Sequence, residues 1–170
     1  MSDERSGAAA QPRALSDAAQ RVQDALRAAG FANVVRELEV PVRTAQAAAE
    51  AVGCTAEQIV KSLVFQRITS GKPVLVTASG GHRVSEARLE QLLGEPVAMA
   101  KPQLVRDATS FAIGGVPPIG HAQPLETIVD AHLLTLGSLW AAAGHPNALF
   151  PLSPDELVRM TRGRVAEVAE

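Results

Sequence analysis

The sequence predicts a mixed α/β protein of one domain whose sheet is mixed or largely antiparallel, on three observations. Strand-like and helix-like segments interleave along the 170 residues, each closed by Gly, Pro or a capping Ser or Thr. Two strand-like runs, SLVFQRI and VLVTAS, are joined only by the turn SGKP, too short for the helical crossover that a doubly wound sheet requires. The composition, 46% hydrophobic and 20% charged, is that of a globular chain, and its length suits a single core.

Each element has its own signal. Residues 1–12 are small, polar and proline-ended, and read as a mobile tail before one domain over 13–170. Ser16 caps a helix over 16–29, with Ala18, Ala19, Val22, Leu26 and Ala29 at helical spacing and Gly30 as its stop. VVREL reads as a strand broken by Pro41; Thr44 then caps AQAAAEAVG, which Gly53 ends. AEQIV continues as a short helix with Lys61 at its end, before the SLVFQRI and VLVTAS hairpin. Ser85 caps SEARLEQLLG; VAMA is a short strand; KPQLVRDA is a helix with Pro102 in its first turn. FAIG leads as a strand into the loop GGVPPIGHAQP, TIVDAHLL, SLWAAAG and NALF read as buried strands, and Ser153 with Pro154 opens a last helix, PDELVRMT.

Charge and composition exclude several functions. A net charge of -2 argues against gripping long nucleic-acid backbones, so any RNA contact is local. An aromatic fraction of 3%, with one Trp and no Tyr, makes a poor platform for stacking bases. The single Cys54 permits no internal disulfide and suits a reducing compartment. With no apolar leader at the N-terminus and no apolar run long enough to span a bilayer, a cytoplasmic protein without membrane contact is expected.

The usual catalytic motifs are missing. His82, His121, His132 and His145 show no HxH, HxxxH or HExxH spacing, so neither a metal nor another cofactor is expected. There is no GxSxG elbow and no phosphate-binding glycine motif, and Cys54 is better read as a packed structural residue than as a nucleophile. What remains is GGVPPIG (114–120), where glycines permit positive φ while prolines stiffen the path, and Lys61, an ammonium inside the apolar IVKSLVF. Bare loop amides can face a carbonyl oxygen or a phosphate. Each feature has an ordinary explanation when read alone: a tight turn for the loop, a helix-end cation for the lysine. His145, between Gly144 and Pro146, and the polar strand end Ser79, Gly80, Gly81 and His82 are further candidates for lining a site.

Taken together, QIVKSLVF, PVLVTASGGHRVSEARL, FAIGGVPPIGH and AAAGHPNALFPLSPDEL resemble the YbaK/ProX family of aminoacyl-tRNA deacylases, which are similar to the editing domain of bacterial prolyl-tRNA synthetases. The resemblance covers roughly 16–168. It implies a strongly curved, barrel-like sheet wrapped by helices, and a trans-editing hydrolase acting on tRNA-Pro mischarged with Cys or Ala, or on another small mischarged amino acid. Carried over by motif, the functional lysine is Lys61, the GxxxP loop runs from Gly114 to Pro118, and the late Gly-His pair is Gly144 and His145. Such chemistry needs no covalent nucleophile and no metal, because an activated ester need only be positioned and polarised for water. Gly114 and Gly115 amides would hold the ester carbonyl or ribose, Pro118 would fix the loop, and Ser79, Gly81, Gly120, Gly144 and His145 would bind substrate. The partner is a tRNA acceptor end, with Arg83, Arg88, Lys101 and Arg106 as candidate contacts, and prolyl-tRNA synthetase or another translation factor as a helper. The competing reading is a non-catalytic binding module of the same fold.

Overall fold

The computed structural model describes residues 14–170; the tail expected at 1–12 lies outside the described residues. The elements in chain order are α1 (Asp17–Ala28), β1 (Arg36–Glu37), α2 (Ala45–Val52), β2 (Ile59–Arg67), β3 (Pro73–Ser79), α3 (Glu86–Leu93), β4 (Val97–Met99), α4 (Pro102–Thr109), β5 (Glu126–Asp130), β6 (Leu139–Ala142), β7 (Ala148–Leu152), α5 (Pro154–Thr161) and β8 (Arg164–Ala166). Short 3-10 turns fill Ala56–Gln58 and Ala131–Thr135. The strands form one mixed sheet in the order β1-β7-β6-β2-β3-β5-β8, with β4 also on β2. β2 runs antiparallel to β3 and parallel to β6, and β3, β5 and β8 are parallel neighbours. The hydrogen-bonded path ends on β1 and β8, so among the described residues no ring of strands closes.

Side-chain alternation divides the core between the two sheet faces. Leu75 joins Val60, Val64 and Val129 against Val22 and Leu26 of α1, Val105 of α4 and Leu157 of α5. Its neighbours Val74 and Val76 point the other way, to Phe65, Ile128 and Leu89 of α3. A smaller cluster seats Ala48 and Ala49 of α2 on Ile59 and Leu149. Burying a Leu or Val side chain contributes about 1.5–3 kcal/mol, so the central strands, which are apolar on both faces, are the best-held part of the chain. Four helices start where hydroxyl caps were expected: Ser16, Thr44, Ser85 and Ser153 each accept a backbone N–H of the first turn. Gly53 and Gly94 close α2 and α3 in the left-handed region.

Several expectations need correction. The helix expected over AEQIV is only the single 3-10 turn; Ile59 and Val60 already belong to β2, so Lys61 lies in a strand and not at a helix end. β-Branched residues that pair with both β3 and β6 account for the change. TIVDAHLL is a strand only to Asp130, whose carboxylate then accepts the His132 N–H and turns the chain into the second 3-10 turn. The glycine-proline loop follows α4 and a turn at Ser110, not a strand, and VVREL shrinks to the two residues of β1. The sequence reading missed β8, a three-residue edge strand of exposed and half-buried residues.

Candidate active site

The site begins with an asymmetry in β2. Along one edge β2 pairs with β3 without interruption from Val60↔Ser79 to Gln66↔Pro73. Along the other, β6 takes only Ile59 and Val60, and β4 takes only Phe65 to Arg67. Residues 61–64 therefore have no strand partner on that edge among the described residues, apart from the Ala100 N–H on the Val64 carbonyl at 3.0 Å. A cleft of about 270 Å³ opens in this gap. Its walls are mostly apolar, with Val42, Val60, Met99, Ile113, Val116 and Leu149, and the polar residues lining it include Lys61, Ser62, Thr44 and His145. Few polar groups on an apolar concave wall is the usual form of a small-ligand site.

The glycine-proline loop and the Gly-His pair meet here. The Gly144 N–H donates to the Gly115 carbonyl at 2.8 Å, and a Cβ on Gly115 would stand 2.9 Å from the Gly144 carbonyl and the His145 nitrogen. Gly144, at φ +90, is itself pressed to 2.7 Å from the Ala18 carbonyl by the same measure. Only glycines allow this approach, which carries Gly114 and His145 onto one wall of the cleft. Gly114 is exposed at φ +94, and its N–H has no partner among the described residues. The Asn147 N–H donates to His145 Nδ1 at 3.2 Å, so the neutral ring carries its proton on Nε2. Further along the loop, Val116, Pro117 and Pro118 are buried, and His121 Nε2 lies 2.6 Å from the Pro117 carbonyl. Burial pulls the His121 pKa down from its ordinary value, opposed in part by that contact.

Lys61 projects from the strand and donates from Nζ to the His82 carbonyl at 2.9 Å. Burial, and then the nearby Arg83 guanidinium, lower its pKa from the ordinary lysine value. The buried Ser62 hydroxyl has no hydrogen-bond partner among the described residues, although the residue lines the cleft. Sequence reasoning missed it; the signal was a second polar residue beside Lys61 in an apolar strand.

The sequence-expected residues thus fall into two groups. Lys61, Gly114 and His145 line the cleft, with Gly115 and Gly144 locking the wall behind them. Ser79, Gly81, Pro118 and Gly120 do not line it. Ser79 is fully buried, donating to the Glu57 carbonyl at 2.7 Å, and Gly81 leaves room for the Glu57 side chain. Gly120, at φ +89, packs near Ala25 of α1. The Gly115 amide is already spent on the Ala112 carbonyl at 3.1 Å, which leaves Gly114 as the loop's available donor of the two. Cys54 packs beside the α2 cluster, and burial pushes its thiol pKa up, as suits a structural residue. Arg83, Arg88, Lys101 and Arg106 are exposed and outside the cleft wall.

Residues 39–160 match the model of the aminoacyl-tRNA editing domain. The chain belongs to the aminoacyl-tRNA editing domain family. The match spans the cleft, the glycine-proline loop and the Gly-His pair, and the family's work is aminoacyl-tRNA deacylation. This editing domain is 46% identical, with a TM-score of 0.88, to the crystal structure of a protein proposed to be a trans-editing enzyme for prolyl tRNA synthetase, covering 92% of this chain and 99% of that one. It is 32% identical over 133 residues to the uncharacterized protein YwhH of Bacillus subtilis, covering 78% of this chain and 84% of that protein. It is also 31% identical over 106 residues to the proline--tRNA ligase of Limosilactobacillus fermentum, covering 60% of this chain but 18% of the ligase. No helix among the described residues is long and apolar enough to cross a membrane.

Proposed function

We propose that this editing domain hydrolyses, in trans, the ester of tRNA-Pro mischarged with a small amino acid, Cys or Ala, releasing the free amino acid and the intact tRNA. The observation that carries this reading is the convergence of Lys61, Ser62, Gly114 and His145 on one cleft in the gap of β2. Water attacks the ester carbonyl carbon, negative charge collects on the carbonyl oxygen, and the bond to the ribose oxygen breaks as that oxygen takes a proton. The free Gly114 N–H and the Lys61 ammonium are the donors suited to the ester and its developing oxyanion. His145 Nε2–H and the Ser62 hydroxyl are suited to the ribose or the amino acid. Pro117 and Pro118 stiffen the loop, so the donors do not have to reorganise as charge develops.

A cleft of about 270 Å³ has room for a small amino acid together with part of the ribose that carries it. One methylene more or less in such a pocket changes binding by about 1–3 kcal/mol, so discrimination between Cys, Ala and Pro is graded. The partial alignment with proline--tRNA ligase supports a free-standing counterpart that works beside a prolyl-tRNA synthetase in the cytoplasm. The test is to charge tRNA-Pro separately with Cys, Ala, Ser and Pro and to follow loss of each ester. Release of Cys or Ala faster than Pro is expected. Retained tRNA binding with no ester released would reduce the protein to a binding module.

A further inference from the structure

Outside the cleft, three side chains from separate segments converge on one point. Glu57 stands on the first 3-10 turn, His82 follows β3, and His132 stands on the second 3-10 turn. Glu57 Oε1 lies 3.5 Å from His82 Nε2, and Glu57 Oε2 lies 3.8 Å from His132 Nε2. The two imidazoles stack at 4.3 Å between centroids with 23° between their planes. We propose that Glu57, His82 and His132 bind a divalent transition-metal ion of the zinc class.

The distances favour that chemistry over a simple ion pair. Zinc ligands at 2.0–2.1 Å in tetrahedral geometry lie about 3.3 Å from one another; the separations of 3.5 Å from Glu57 Oε1 and 3.8 Å from Glu57 Oε2 are up to about half an ångström longer. All three ligand atoms fall within 4.8 Å of one another, so an ion would close the set once ring rotation unstacks the two imidazoles and aims both in-plane Nε2 lone pairs at one point. His132 Nε2 is buried with no hydrogen-bond partner among the described residues, which a metal bond would correct. Behind it, Asp130 is 2% exposed; its Oδ1 accepts the His132 N–H, while its Oδ2 is likewise unpartnered. Two imidazoles and one carboxylate are a donor set for Zn²⁺ or Co²⁺ and not for Mg²⁺ or Ca²⁺. His82 and His132 border a depression of about 470 Å³ lined also by Asp130, Glu167 and Glu170, from which an ion could enter. The cations nearby are Arg88 in the same depression, the Lys61 ammonium on the His82 carbonyl and Arg83 beside it, against the carboxylates Glu57, Asp130, Glu167 and Glu170.

The backbone is arranged to hold the ligands in place. Ser79 pins the Glu57 carbonyl, and Gly81 has no Cβ because one would stand 2.9 Å from Glu57 Cγ. The ion would tie the end of β3 to both 3-10 turns. It would thereby steady the His82 carbonyl that receives Lys61, outside the reaction cleft itself.

The experiment uses the full chain, stripped of metal with a chelator. Zn²⁺ is titrated by calorimetry, and Co²⁺ by its visible absorption. Uptake of one equivalent is expected, with the band of a tetrahedral site containing nitrogen and oxygen ligands and a rise in Tm on adding Zn²⁺. Affinity should fall about tenfold or more in Glu57→Gln and in His132→Ala, and stay unchanged in Cys54→Ser and His121→Asn. Glu57 is exposed, so its variant keeps the fold, and circular dichroism checks the other three. No uptake by the folded wild type, or uptake that survives both Glu57→Gln and His132→Ala, overturns the proposal.

Discussion

Along one edge, β2 keeps an unbroken antiparallel ladder with β3, which is buried on both faces; along its other edge the partners β6 and β4 separate and leave residues 61–64 lining a cleft. One strand therefore holds the core together and lines the cleft proposed as the reaction site. Stability concentrates where side chains interlock, as Val74, Leu75 and Val76 do, all at 0% exposure. The proposed site lies where the ladder is interrupted and polar groups such as the Ser62 hydroxyl lack partners among the described residues. Substitutions on the two edges should accordingly separate folding from catalysis.

The largest effect on stability is expected at the closed edge. Leu75→Ala removes a fully buried side chain beneath α1 and should cost about 2–5 kcal/mol in urea unfolding, while the fraction still folded deacylates normally. A loss below 1 kcal/mol, roughly a surface-like value, would break the contrast between the edges. Gly115→Ala comes next, because its Cβ would meet the Gly144 backbone at 2.9 Å; about 1–3 kcal/mol of overpacking should come with slower deacylation as the Gly114 wall moves. Ser62→Ala sharpens the comparison from the open edge. It breaks no internal hydrogen bond, so stability should hold or rise by up to about 1 kcal/mol, while KM for the aminoacyl-tRNA increases.

The smallest effect is pH-dependent. Burial lowers the His121 pKa, so the folded state prefers the neutral ring more than the unfolded chain does. The unfolded chain then takes up the proton first, and stability that is present above pH 6.5 is lost as the pH falls from there through the lower folded-state pKa. Urea midpoints measured from about pH 8 to 5 should show this slope in the wild type and a shallower one in His121→Asn.

Helix starts were the most legible feature of the sequence. Ser16, Thr44, Ser85 and Ser153 cap as expected because capping is a local interaction between a hydroxyl and the amides just after it. Lys61, Gly114 and His145 were legible as candidates, but the placement of Lys61 was not. Whether IVK ends a helix or begins a strand is decided by β3 and β6, which are remote in sequence. β8 escaped notice because three residues carry too little periodicity to read. Ser79 and Gly81 read as substrate contacts, yet they serve the Glu57 backbone and side chain. The Glu57, His82 and His132 cluster was illegible for the same reason: metal-ligand spacing rules see neighbours in the chain, and this set forms only when two 3-10 turns and a strand end meet.

The central claim, that the gap in β2 is the reaction site, is tested most directly by deacylation of Cys- and Ala-charged tRNA-Pro with wild type and Lys61→Ala under single-turnover conditions, alongside their urea unfolding. The Nζ contact with the His82 carbonyl contributes about 1.5–3 kcal/mol at most, discounted because Lys61 is only half-buried, so the variant should remain folded. Its rate should fall by about 10²–10³, the usual cost of losing one preorganised donor to a developing oxyanion. An unchanged rate in the folded variant would contradict the account.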